Sequence, residues 1–199
     1  MRAAIIALAM VAPAAAQPVV GQPAPDFTAT DHRGAAVRLS ALRGRTVVLE
    51  WTNSGCPFVR AHYDSGTMQR LQADARAKGV VWLSVNSGAP GKQGHVDGAG
   101  AAAEIASGKA SPSHYLLDAR GTLGQLYGAR TTPHMFVIAP DGRLAYMGAI
   151  DDRPTADPDD AKAATPYARN AINAVLAGRA PVPVSTRAYG CSVKYADQG

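Results

Sequence analysis

Thr46-Val47-Val48-Leu49-Glu50-Trp51-Thr52-Asn53-Ser54-Gly55-Cys56-Pro57-Phe58-Val59 is the stretch on which the fold turns. Its first half, Thr46–Thr52, is a β-branched and aromatic run of the kind that fills a buried central strand. Asn53-Ser54-Gly55 reads as a turn, and Pro57 suits the first position of a helix, where a missing N–H costs nothing. Cys56 therefore stands between a buried strand and a helix N-terminus. Free amide groups and the helix dipole at such a place favour a thiolate. A lowered pKa raises the thiolate fraction at neutral pH, which a nucleophilic or redox thiol needs. The competing reading is an inert core cysteine. Arg60, one turn into the helix, adds positive potential to the first reading.

Working outward, strand and helix patterns alternate. Downstream, Phe58, Val59, Met68, Leu71 and Ala75 follow one helical stripe that stops at Gly79, and Val80–Asn86 is the next buried strand. Ser87–Asp97 is a Gly-rich loop, Ala99–Ser107 a short Ala-rich helix, His114–Leu117 a short strand and Thr122–Tyr127 a short helix ended by Gly128. Met135–Ala139 and Leu144–Met147 flank Pro140-Asp141-Gly142, a hairpin signal. Asp151–Asp160 is an acidic loop whose paired acids, Asp151-Asp152 and Asp159-Asp160, read as solvated turn residues. Ala161–Ala177 has helical periodicity and stops at Gly178. Upstream, Val19–Phe27 is Pro-rich and extended, and Phe27–Thr30 pairs with Val37–Leu39 around the turn formers Asp31-His32-Arg33-Gly34. Trp51 and Trp82 pack the core. The order predicts an α/β fold with a central mixed sheet flanked by helices and an N-terminal β-hairpin extension.

The bulk properties narrow the function. The chain has 199 residues, 47% of them hydrophobic and 18% charged, which suits one folded domain and rules out a disordered polyelectrolyte. The net charge of +5 is scattered, so a nucleic-acid surface has no support. Two cysteines exclude a disulfide-rich scaffold and a four-cysteine zinc site. Neither a phosphate-binding nor a dinucleotide-binding glycine motif is present, and Ser54 and Ser65 lie in no nucleophile-elbow pattern. Met1–Ala16 carries Arg2, a short apolar run and the small residues Ala14-Ala15-Ala16, the three parts of a secretory signal cut before Gln17. No other stretch is apolar enough to span a bilayer, so the mature chain is expected to be periplasmic or secreted, without a membrane span. That compartment permits disulfides. The expected organisation is signal peptide 1–16, one domain 17–180, and a tail 181–199 carrying Cys191.

Cys191 lies in Tyr189-Gly190-Cys191-Ser192-Val193-Lys194-Tyr195, among turn and extended residues, which suggests a mobile or peripheral segment. Three arrangements are open. Cys191 resolves an oxidised Cys56, or the two form a permanent structural disulfide, or they never meet. Thr131-Thr132-Pro133 precedes the strand His134–Ala139, and a proline there is either an ordinary trans turn residue or a cis one.

Several segments together resemble the redoxin group of the thioredoxin-like superfamily, the AhpC/TSA peroxiredoxins and their relatives. They are Gly21-Gln22-Pro23-Ala24-Pro25-Asp26-Phe27, the hairpin and strand that follow through Trp51, Cys56-Pro57-Phe58-Val59, Thr131–Ile138, and Pro140–Gly148. The likeness runs in order over roughly 19–178, and the Cys191 tail resembles a recurring ending of the peroxiredoxin-like branch with a CPFV site. The resemblance implies a thioredoxin-like fold, a reactive Cys56, and a cis Pro133 lying against it, where the backbone at Thr132 and Pro133 can pair with a peptide substrate. Three departures matter. Asn53 and Val59 flank Cys56 at three positions on either side, so a local C-x-x-C disulfide is excluded. Asn53 replaces the Thr or Ser with which peroxiredoxins bind peroxide, and Pro133 stands where they use an arginine, leaving Arg60 or Arg130 as candidate substitutes.

Three functions follow. As a thiol–disulfide oxidoreductase, Cys56 attacks a protein or small-molecule disulfide and Cys191 resolves the mixed disulfide. As a thiol peroxidase, Cys56 is oxidised by a hydroperoxide to a sulfenic acid and Cys191 condenses with it. Both use an external thiol reductant and need no bound cofactor. The third is periplasmic copper binding by Cys56 with His134. No two of His32, His62, His95, His114 and His134 show the close spacing of a metal pair, and each reads as a solvated or packed side chain.

Overall fold

The computed structural model describes residues 17–197, so the signal-peptide reading of 1–16 lies outside the described residues. The chain runs through β1 (Thr28–Asp31), β2 (Ala36–Arg38), β3 (Val47–Trp51), α1 (Pro57–Asp64) and α2 (Thr67–Ala77). It continues with β4 (Val81–Asn86), α3 (Gly98–Ser107), β5 (His114–Leu117), α4 (Thr122–Tyr127) and β6 (Thr131–Thr132). Then come β7 (His134–Ile138), β8 (Leu144–Gly148), α5 (Pro158–Ala163), α6 (Tyr167–Leu176) and β9 (Cys191–Ser192).

Seven strands form one mixed sheet in the order β2-β1-β5-β4-β3-β7-β8. β3 is central because every one of its side chains is buried, as a continuous apolar run requires. It pairs in parallel with β4 (Trp51 opposite Val85) and antiparallel with β7 (Trp51 opposite His134). Strand alternation sends Val47, Leu49 and Trp51 to one face, against Phe27, Leu116, Tyr127 and Phe136. Val48 goes to the other face, with Trp82 of β4 and against Met68, Leu71 and Ile172 of the helical layer. Glu50 shares that second face and is fully buried. Its carboxylate accepts from Trp82 Nε1 (2.8 Å), Ser84 Oγ (2.8 Å), Gln72 Nε2 (3.2 Å) and Tyr63 Oη (3.3 Å). The expected N-terminal hairpin is β1–β2, with Ala29 opposite Val37. Among the described residues no helix is long and apolar enough to cross a membrane.

Two helices expected from continuous stripes are each broken. The stripe after Pro57 splits at Gly66, whose φ of 73° lies in the left-handed region and turns the chain between α1 and α2. The stripe of Ala161–Ala177 splits before Pro166, which has no N–H to donate and disfavours helical backbone at Thr165. α5 instead begins inside the expected acidic loop, with Pro158 at its first position and Asp157 accepting from the Asp159 amide at 2.9 Å.

Candidate functional site

Cys56 is the residue that caps α1, with extended backbone (φ −82°, ψ 121°). The turn before it is self-contained. Asn53 Oδ1 accepts from the Gly55 amide at 2.9 Å, and Asn53 O accepts from the Cys56 amide at 2.9 Å. The Asn53 side-chain amide donates to Gln93 Oε1 at 3.0 Å, so its polar atoms are spent on the turn and the adjoining loop. The Cys56 side chain points inward and is fully buried. Its Sγ donates to the Thr132 carbonyl at 3.1 Å, across the Thr132–Pro133 bond, which is cis. The Thr132 hydroxyl is buried and makes no hydrogen bond of normal geometry.

The tail brings Cys191 to the same place. β9 pairs antiparallel with β6, Cys191 opposite Thr132 and Ser192 opposite Thr131. The Val193 amide extends the pairing to Arg130 O at 3.0 Å. Gly190 is required just before it. Its φ is 125°, and a Cβ there would lie 2.1 Å from the Thr132 oxygen. A segment expected to be mobile or peripheral is thus a paired strand. Both cysteines are free thiols.

Burial opposes the Cys56 thiolate, yet its pKa is lowered. The nearby Cys191 thiol, the Thr132 side chain and the amides of Val59 and Cys191 favour the thiolate and outweigh the loss of water. Cys191 moves the other way, pushed up to about 11 by burial and by the neighbouring Cys56 sulfur, with Lys194 pulling back in part. Of the two thiols, Cys56 is therefore the one that loses its proton more readily, and Cys191 the one that keeps it.

The structure brings Cys56, Cys191, Thr132 and Pro133 together, a meeting of the two cysteines that the sequence had left open. Asn53 adjoins them, but its side chain serves the turn. The Arg60 side chain is exposed and lines a separate cavity with Ser54, Tyr63, Glu104 and Tyr115. Among the described residues no arginine donates to the Cys56 sulfur, and the Arg130 amide points to His134 Nδ1 at 3.4 Å. The His134 ring stacks on Phe136 at 4.5 Å, and burial followed by the charge of Arg130 pushes its pKa down to about 4. Among the described residues no group of three His, Cys, Asp or Glu side chains is arranged to hold a metal.

Three residues around the tail were not foreseen. Asp151, read as a solvated turn residue, is buried and accepts from the Tyr189 hydroxyl. That hydroxyl also lies 3.3 Å from His62 Nε2, and the Tyr189 ring meets Phe58 edge-on at 5.9 Å. Burial raises the Asp151 pKa despite the Tyr189 hydroxyl, the Arg153 amide and His62, and burial lowers that of His62 despite Asp151. On the far side of Cys191, Tyr195 Oη donates to Ala129 O at 2.8 Å, and its ring lies over Gly121 and Gly124. Two tyrosines six positions apart on either side of a cysteine are the signal the sequence offered.

No curated protein matches the chain in sequence. Among solved structures, a hypothetical protein of Sinorhizobium meliloti 1021 is similar over 92% of this chain and 98% of its own, with a TM-score of 0.73 and 24% identity. An uncharacterized conserved protein of Geobacillus kaustophilus is similar over 91% and 94%, with a TM-score of 0.75 and 25% identity. A putative thiol:disulfide interchange protein DsbE of Chlorobium tepidum is similar over 66% and 85%, with a TM-score of 0.53 and 27% identity. The fold is thioredoxin-like. The AhpC/TSA family model matches residues 20–147, from the extended N-terminal segment through the cysteine turn and the cis proline into the last hairpin, and the chain belongs to the AhpC/TSA family.

Proposed function

We propose that this chain is an exported thiol–disulfide oxidoreductase in which Cys56 attacks and Cys191 resolves. The observation that carries the reading is the pairing of Cys191 with Thr132, which sets its thiol against a Cys56 sulfur whose pKa is lowered. The Cys56 thiolate attacks a substrate disulfide and one thiolate leaves. Cys191 then loses its proton and attacks the Cys56 sulfur, the second substrate thiol leaves, and the protein holds a Cys56–Cys191 disulfide. An external thiol reduces it again. Export rests on the reading of 1–16 as a secretory signal.

Disulfide exchange is favoured over peroxidase chemistry because a peroxide needs donors aimed at its oxygens. The Asn53 amide is engaged by Gln93, and among the described residues no arginine donates at the sulfur. The test gives the reduced protein one equivalent of glutathione disulfide or of hydrogen peroxide and follows both cysteines by intact mass and peptide mapping. Fast oxidation by glutathione disulfide with slow reaction with peroxide is the expected result. A fast Cys56–Cys191 disulfide from peroxide, with glutathione disulfide sluggish, transfers the assignment to a peroxidase. No reaction at Cys56 with either removes both.

A further inference from the structure

We infer that Tyr189–Tyr195 is a self-docked strap that closes the backbone edge beside Cys56 and selects small-molecule disulfides over disulfides carried in extended polypeptide. This rests on the thiol-exchange reading and narrows its substrate class.

A strand edge next to a reactive sulfur is a pairing surface for an extended chain, because its N–H and C=O groups accept another strand. At Cys56 that edge is Thr131–Thr132, and the chain's own Cys191–Ser192 occupies it. Contact at the junction is tight, since Gly190 lies too close to the Thr132 carbonyl for any side chain. The strap is fastened on both sides of Cys191. Upstream, Tyr189 holds Asp151 and His62 through its hydroxyl and Phe58 through its ring. Downstream, Tyr195 holds Ala129 O, Val193 packs on the core, and Lys194 O accepts from the Ala89 amide at 2.8 Å. An incoming polypeptide must undo these contacts before its backbone reaches Thr132. A small disulfide needs only a line to the sulfur past the half-buried Cys191.

The chemistry balances without the edge being opened. Cys56 S⁻ bonds to one sulfur of RSSR, the S–S bond breaks, and RS⁻ leaves. Cys191 then bonds to the Cys56 sulfur, and the second RS⁻ leaves. Two protein thiols are oxidised to one disulfide, RSSR is reduced to two RSH, and the protons of Cys56 and Cys191 pass to the two leaving thiolates.

The experiment uses the reduced chain from Gln17 onward and two probes with the same leaving group. One is glutathione disulfide, and the other is an extended decapeptide whose single cysteine is joined to glutathione. Oxidation of Cys56 is followed by quenched intact mass in the native sequence and in Tyr195→Ala. The native protein is expected to oxidise with glutathione disulfide at least about tenfold faster than with the peptide. Tyr195→Ala is expected to raise the peptide rate relative to the small-disulfide rate about tenfold. If Tyr195→Ala loses its cooperative melt, Tyr189→Phe makes the same comparison, since it removes only hydroxyl contacts. Equal rates for both probes in the native protein, or an unchanged ratio in the folded strap variants, overturns the inference. Failure of both probes to oxidise Cys56 in every form is a different result, which overturns the thiol-exchange reading itself.

Discussion

Replacing Cys191 by Ala deletes one donor to the Cys56 sulfur and leaves the rest in place. The Cys191 amide, the Val59 amide and Thr132 still point at it. A net hydrogen bond to a charged group contributes about 1.5–3 kcal/mol, and an S–H is a weak donor, so roughly 1.4 kcal/mol is lost. That is about one pKa unit. The sign is fixed by which form the donor favours. It favours the thiolate, so its removal raises the Cys56 pKa, and the burial that already opposes the thiolate is unchanged. At any pH below that pKa the thiolate fraction falls about tenfold, and so does the rate of alkylation by iodoacetamide. Ultraviolet thiolate absorbance against pH reads the shift directly. In the native protein the two thiols titrate as a pair, but Cys191 is pushed up to about 11, so the lower step reads mainly Cys56. Cys191→Ser restores a hydroxyl donor and should return the pKa to near its native position. An unchanged or lower Cys56 pKa in Cys191→Ala refutes the argument and leaves the amides and Thr132 as the whole cause.

The disulfide form should be opened at Cys191, which is half-buried where Cys56 is fully buried and whose attack expels the better leaving thiolate. One equivalent of a monothiol followed by acid quench and peptide mapping should find the adduct on Cys191, and an adduct on Cys56 contradicts this. Closing that long loop should raise resistance to urea by up to about 5 kcal/mol on the chain-entropy model, read as the oxidised-minus-reduced difference in unfolding free energy. Burial raises the Glu50 pKa against the pull of Trp82, Ser84, Gln72 and Tyr63. Folding therefore favours the protonated form, and its stability is present below the unfolded value of 4.5 and lost as pH rises through the folded one. Glu50→Gln should flatten the stability–pH curve on that side, and equal slopes in the two proteins count against a raised Glu50 pKa. Asp31 behaves oppositely. Burial works against its ionised form, but His114, the Ala35 amide and Arg33 hold its pKa well below the usual carboxylate range. Its contribution is present at neutral pH and lost on acidification. Asp31→Asn should cost roughly 1–3 kcal/mol at neutral pH and less in acid, as checked by urea melts across pH.

The parts of this molecule legible in its sequence are those set by local chemistry. A β-branched run, a three-residue turn and a proline at a helix start suffice to place Cys56, and Pro140-Asp141-Gly142 places the last hairpin. The two helix breaks were missed because the apolar stripe keeps its phase across Gly66 and Pro166, although both residues are helix breakers. Pro133 stood out as a proline ahead of a strand, and the likeness to a known family supplied its cis form and its place with Thr132 against Cys56. Sequence proximity misled at Arg60, which is one turn from Cys56 but projects to the outside of α1. The strap was illegible because its partners are remote. Tyr189 meets Phe58, His62 and Asp151, and Tyr195 meets the loop beyond α4, and none of these is near it in the chain. Glu50 was readable and passed over, since a lone acid within an otherwise apolar strand demands a cage of donors.

Since Thr132 waits for Cys191, far along the chain from Cys56, the cysteine pocket is complete only when the tail docks. Cys56 emerges early, and everything from Pro57 to Gly190 must follow before its cover exists. Until then a thiol at the start of a helix lacks its cover. Docking of the tail ends that exposure and so marks a completed copy. A copy cut short before Tyr189 lacks both that cover and the Cys191 donors, so its Thr131–Thr132 edge is open while its Cys56 thiol sits at a higher pKa.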